Sequence, residues 1–173
     1  MTITLFSFQK NTDLHALSAG ATMTQFLKCD AIKGCRRFVL WDIDVESNSP
    51  KEWIDFVLSK TYYLLNPNKE DYFLSSIPAK KKHNGFHVLV QISNSVFENQ
   101  AELAQKINKK CQTTISSLKK SLVWDLFVET DSYQEAETYI KSMLLDSSSH
   151  PFLLNPIFES ATLLDSKMFL NED

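Results

Sequence analysis

The stretch RRFVLWDIDVESNSPKEWIDFVL, residues 36–58, decides the fold because it returns as KKSLVWDLFVETDSYQEAETYIK at residues 119–141. At an offset of 83 residues Trp41 meets Trp124, Asp42 meets Asp125, Val45 meets Val128, and Glu46, Ser49 and Glu52 meet Glu129, Ser132 and Glu135. Further on, YYLLNPNKEDYFL (62–74) is answered by PFLLNPIFESATL (151–163), which pairs Leu64, Leu65, Asn66 and Pro67 with Leu153, Leu154, Asn155 and Pro156. The offset there is 89, so the second block carries six additional residues, assigned to 146–151. Two matched blocks in the same order mark an internal duplication, and self-similarity of this kind governs how the rest is read.

Each block predicts the same run of elements. The first opens with a strand at ITLFSF, where apolar and β-favouring residues alternate or run together. A helix from about His15 to Lys28 follows, then a strand at FVLWDIDV. Ser49-Pro50-Lys51-Glu52 has the signature of a helix start: a capping serine, proline in the first position, an acid in the first turn. Trp53, Phe56, Val57 and Leu64 recur at helical spacing, and Asn66-Pro67 is expected to stop that helix, since a residue before proline avoids α geometry. DYFLSSI closes the block. The second block runs FHVLVQI, a helix through ENQAELAQKINKK, the strand LVWDLFVE, a helix through QEAETYIKSML, and the strand FESATLL, with 113–118 expected to add a short strand that hairpins into LVWDLFVE.

The domain reading is therefore a first unit at 1–79, a linker at 80–86, a second unit at 87–165 and a loosely held tail at 166–173. The connector itself, PAKKKHNG, is polar and turn-rich. Strands interleaved with two helices per unit predict an α+β chain: two ferredoxin-like β-α-β-α-β repeats, with helices on one face of a mostly antiparallel sheet, packed as a pseudo-dimer. A unit of roughly 80 residues buries little surface alone, so two gain by packing together. Joining sheets edge to edge or stacking them face to face would each hide open strand edges.

Composition narrows the function. Of 173 residues 43% are hydrophobic and 23% charged, with net charge −3 and pI near 5.8. That balance argues against a general nucleic-acid binder, which carries a basic excess. The basic runs Lys80-Lys81-Lys82 and Lys119-Lys120 read as solvated loop or edge. Three cysteines, an odd number, point to a reducing compartment rather than a disulfide framework. The separation of Cys29 from Cys35 fits no usual zinc spacing, and Cys111 stands apart. The first residues lack the charged start of an export signal, and no stretch approaches the roughly 20 apolar residues that span a bilayer. The expectation is cytoplasmic, without a membrane.

The repeated unit resembles the PurS subunit of phosphoribosylformylglycinamidine synthase, over residues 2–78 and 87–164. That family opens with a strand and a "gVLDPQG.AV" turn and helix, continues with an apolar strand followed by acids, and ends on an acidic helix and "LLANPVIEDY". Here SVFENQAELAQKI stands at the first motif of the second unit and QKNTDLHALSAGA at that of the first, while both units carry LLNP. Ala101 replaces the glycine of the first motif, and the alanine between Leu and Asn is missing from both units. The resemblance implies a small bridging subunit that works as a dimer, here fused into one chain with a pseudo-two-fold axis. By that resemblance its partners are the large ATP-using subunit and the glutaminase subunit of a C–N ligase in de novo purine synthesis. This chain alone would carry no catalysis and no cofactor, and further self-association of the fused pair is left open. The residues carrying the signature are Trp41, Leu65, Asn66 and Pro67 and their counterparts Trp124, Leu154, Asn155 and Pro156.

A rival reading starts from Asp42-Ile43-Asp44. Strand alternation puts both carboxylates on one face, suited to a divalent metal. With Gly85-Phe86-His87 and Asp125 the pattern resembles the hhDhD, sxH and hD motifs of archaeo-eukaryotic primase-polymerases, in which three carboxylates and two metals run nucleotidyl transfer. Against it, Asp125 is already explained as the repeat counterpart of Asp42, Phe127 replaces the counterpart of Asp44, and only Arg36 and Arg37 could grip phosphates. If Trp41, Ile43 and Val45 face the helices, Asp42 and Asp44 fall on the opposite face. His15, His83, His87 and His150 lack ligand spacing, and Gly20, Gly34 and Gly85 form no phosphate loop. Ser75-Ser76 and Ser147 to Ser149 have no nucleophile-elbow setting, and Trp41, Trp53 and Trp124 read as core or interface anchors.

Overall fold

The computed structural model describes residues 1–79, 85–146 and 151–171. The basic run at 80–82, most of the linker, His83, His150, Ser147 to Ser149 and the last two residues lie outside them. The chain is α+β, with five helices and a mostly antiparallel six-stranded sheet among the described residues. Its elements are β1 (Thr2–Gln9), α1 (Leu14–Ala21, continued by a π turn Thr22–Phe26), β2 (Ile32–Val45), α2 (Pro50–Lys60), β3 (Glu70–Leu74) and β4 (Ile77–Pro78). The second half gives β5 (Phe86–Asn94), α3 (Ala101–Cys111), β6 (Ile115–Val128), α4 (Tyr133–Ile140, continued by a π turn Lys141–Leu145) and β7 (Glu159–Leu164), followed by α5 (Ser166–Phe169) and β8 (Leu170–Asn171).

The strand order, β3-β1-β2-β6-β5-β7, reads the same when the halves are exchanged. The halves join edge to edge through β2 and β6, two strands of 14 residues paired antiparallel along nearly their whole length. Length is what makes the join. β1 pairs with β2 only from Val39 to Asp44, so the earlier part of β2 projects beyond β1 and pairs with the end of β6 that β5 covers. A strand that would otherwise expose an unpaired edge is closed by its counterpart.

Alternation then sorts the side chains. Ile3, Leu5, Trp41, Ile43 and Val45 face one layer of helices; Phe6, Phe38, Leu40, Leu89 and Val123 face away. Because α1 must return from the end of β1 to Ile32, it lies over the second half of the sheet rather than its own. Each helix-side core is consequently mixed. One packs Trp53, Ile54 and Val57 of α2 with Ala104, Ile107 and Cys111 of α3. The other packs Ala16 and Met23 with Ala136, Ile140 and Leu144 beside Val88, Val90 and Leu126. The Trp53 indole N–H donates to Thr113 Oγ1 at 2.9 Å, tying α2 to the turn after α3. α1 with its π turn, and α3, are each followed by a residue of left-handed backbone, Lys28 and Gln112, at φ 57° and 51°.

Four expectations are corrected. α2 ends at Lys60, and Asn66-Pro67 forms a separate corner, because Thr61 has already turned extended (φ −149°, ψ 160°). Ser49 does not cap α2 with its hydroxyl, whereas Ser132 caps α4 by accepting from Glu135 N at 3.2 Å; Ser47 engages the Ser49 backbone instead. Residues 115–118 make no hairpin but are the first part of β6, since they have β2 to pair with. Residues 166–171 are no loose tail: β8 pairs with β4, and Phe169 packs edge-on to Phe6 at 5.9 Å, covering the second face of the sheet.

Candidate functional site

Asp125 is the most buried charge among the described residues, with 1% of its surface exposed. It sits in the last third of β6, where Arg36 of β2 lies opposite on one side and Leu89 of β5 on the other. Its Oδ2 accepts from Arg36 Nε at 2.7 Å, and its Oδ1 lies 2.7 Å from His87 Nδ1. Arg36 also donates from Nη2 to the Pro78 carbonyl at 2.8 Å, and its guanidinium lies over the Phe38 ring at 5.5 Å. Three strands thus meet on one carboxylate, and Arg36 carries the contact on to Pro78 before the linker. A buried carboxylate requires this kind of satisfaction, because desolvation is otherwise prohibitive. The Gly-Phe-His stretch lies at the same node: a Cβ on Gly85 would come within 2.6 Å of the Val128 carbonyl, and His87, paired with Phe127 across β5 and β6, stands edge-on to its ring at 5.0 Å.

Asp42 and Asp44 are elsewhere on that face. Thr2 donates to Asp44 at 2.6 Å and Thr4 to Asp42 at 3.3 Å, both on β1. Burial pushes the Asp42 carboxyl up, opposed by the Thr4 hydrogen bond and by Lys119 opposite it. Asp125 faces Arg36, six residues earlier on β2 than Asp42. At about 3.3 Å per residue the two sites are roughly 20 Å apart. The three carboxylates of the rival reading do not converge, and no group of three or more metal-binding side chains occurs among the described residues.

The two Asn-Pro corners were legible in part. In each, the asparagine side chain accepts from the backbone two residues on: Asn68 N to Asn66 at 3.0 Å, Ile157 N to Asn155 at 3.1 Å. Each asparagine carbonyl then receives two amides, from Lys69 and Glu70 in one corner and Phe158 and Glu159 in the other. Glu70 and Glu159, which the sequence reading passed over, reach back to accept from Asn66 N and Asn155 N, at 2.7 Å in both cases. The signal was present, a glutamate four residues after each asparagine. Leu64, Leu65 and Leu153 are buried, Leu154 only half-buried.

Trp41 and Trp124 occupy the two mixed cores, and both bury an indole N–H without a hydrogen-bond partner among the described residues. The Lys120 ammonium lies 5.2 Å from the Trp41 ring centre. His15 is exposed at the start of α1, and Ser75 is a turn residue at φ 66°. The cysteines are free thiols, and burial holds Cys35 up at about 12. No helix among the described residues is long and apolar enough to cross a membrane.

A cleft of about 450 Å³ opens beside the Asp125 node, with Arg36, Arg37, Phe8, Phe38 and Phe73 among its lining residues. A second, of about 510 Å³, lies at the corresponding place in the other half, lined by Glu98, Asn99, Ser117 and Lys119. No protein-family model matches the chain, and no curated protein is significantly similar to it in sequence.

Proposed function

We propose that the chain is a non-catalytic bridging subunit: two PurS-like, ferredoxin-like units fused so that one polypeptide supplies what the family builds from two. In that role it joins the ATP-using and glutaminase subunits of phosphoribosylformylglycinamidine synthase. The observation that carries the reading is the contrast between a pairing scheme that survives exchange of the halves and two ends that do not match. At one end the Lys10 amide bonds the Lys69 carbonyl; at the other the Ser95 amide bonds the Phe158 carbonyl in the same way. Around the first lie Asn11, Thr12 and Asn68, all polar. Around the second lie Val96, Phe97, Ile157 and Phe158, exposed by 62, 69, 78 and 51%. A contiguous exposed apolar patch marks an interaction surface. A bridge between two different partners needs two different ends.

The test mixes the full chain with the ATP-using subunit and the glutaminase of the same cell and follows assembly by size-exclusion chromatography with light scattering. A three-component complex is expected, with one partner released by Ile157→Asp or Phe97→Asp while the other is kept. Failure to bind either subunit overturns the reading.

A further inference from the structure

The first-half cleft has a built anion grip that its counterpart lacks. Its aromatic wall is fixed: Phe8 stacks on Phe73 at 4.7 Å between ring centres and meets Phe38 edge-on at 6.1 Å. Arg36 is locked by Asp125 and Pro78, so it contributes a charge in a set position. Arg37 is held only through Nε, which donates to Asp13 Oδ2 at 3.0 Å. Neither of its terminal nitrogens has a protein partner among the described residues, and its side chain is 22% exposed at the cleft. A guanidinium anchored at Nε and open at its two ends is a bidentate oxyanion receptor. The volume lies within the roughly 300–1,000 Å³ typical of small-molecule sites. With its thiol held up at about 12, Cys35 adds no anion beside Asp13, whose carboxylate lines the cleft and is taken up by Arg37 Nε. At the equivalent place in the second half Lys119 stands for Arg36 and no aromatic lines the cavity.

We propose that this cleft binds a phosphate monoester carried on a planar ring, a molecule of the nucleoside-monophosphate class, with the phosphate on Arg37 and the ring against Phe8 and Phe73. The assignment does not depend on the bridging role, since it rests on the cleft alone.

Isothermal titration of the full chain with adenosine monophosphate, adenosine and inorganic phosphate tests it. The nucleotide is expected to bind one to one, and each fragment alone about tenfold or more weakly, because ring and anion contacts are both needed. Arg37→Gln should weaken the nucleotide about tenfold or more, the loss of a bidentate contact. Leu17→Trp, at an exposed position on the rim, should block the cleft without disturbing the core. Lys119→Gln in the other cavity should change nothing, with thermal melts confirming that each variant is folded. Absence of nucleotide binding, phosphate binding as tightly as the nucleotide, or unchanged affinity in folded Leu17→Trp would each overturn the proposal.

Discussion

Val39 and Leu122 face one another across β2 and β6, and each is the other's counterpart at the 83-residue offset. The pairing is its own image about this point: Arg36 opposite Asp125 on one side answers Lys119 opposite Asp42 on the other. One of these charge pairs is buried and tightly bonded, while the other has Lys119 exposed. The two sides of the join share their geometry and differ in their chemistry.

Because each helix-side core draws on both halves, neither half can complete a core alone. Fragments 1–79 and 85–173, expressed separately, should show no cooperative thermal transition as monomers and should regain one on mixing. Circular dichroism melts with sedimentation measurements decide it, and a cooperatively melting monomer of either fragment would refute the shared-core account.

Asp125 should be far more costly to remove than its counterpart. Asp125→Ala leaves Arg36 and His87 facing a buried gap, and breaking a buried pair from one side costs about 3–5 kcal/mol. Asp42 accepts a single 3.3 Å hydrogen bond, and burial already disfavours its charge, so Asp42→Ala should cost under about 1 kcal/mol. Urea titrations of the two variants give the comparison; equal losses would contradict it.

At the corners the glutamates, more than the prolines, close the turn. Glu70→Ala and Glu159→Ala each remove a charged acceptor from a backbone amide and should each cost about 1.5–3 kcal/mol, by similar amounts. The leucines should separate: Leu64→Ala and Leu153→Ala, both buried, fall in the range of about 2–5 kcal/mol, while half-buried Leu154→Ala costs less than Leu65→Ala. Denaturant melts of the six variants would expose any reversal of this order.

Tyr72 donates its phenol to Asp55 Oδ1 at 2.7 Å, and burial, followed by that hydrogen bond and the Asp55 charge, pushes its pKa up to about 12. The unfolded chain ionises this tyrosine near its ordinary value of about 10, before the folded chain does. Its contribution is therefore intact below about pH 10 and is lost as pH rises towards 12. The difference in absorbance titration between the wild type and Tyr72→Phe should show a midpoint near 12, moved down by Asp55→Asn. A midpoint near 10 in the wild type would rule the contact out.

The sequence by itself determined the two matched blocks, the order of elements in each half and the two faces of the long strand. These follow from local matches and from period-two patterning: Trp41, Ile43 and Val45 had to face one way and Asp42 and Asp44 the other. Tertiary structure alone decided how the halves meet. Nothing local in 32–45 says that all of it pairs with β6 while its first part runs past β1, yet that overhang carries α1 across to the other half and mixes the cores. It also set the fate of the charges. Asp42 and Asp125 are equivalent in sequence, but only Asp125 has an arginine opposite and a histidine from the neighbouring strand, so one became a buried node and the other a lightly bonded strand residue. Residues 166–171 look unattached in sequence because they carry no repeat and little periodicity; only the apolar face left open by the sheet gives Phe169 and Leu170 a place to pack.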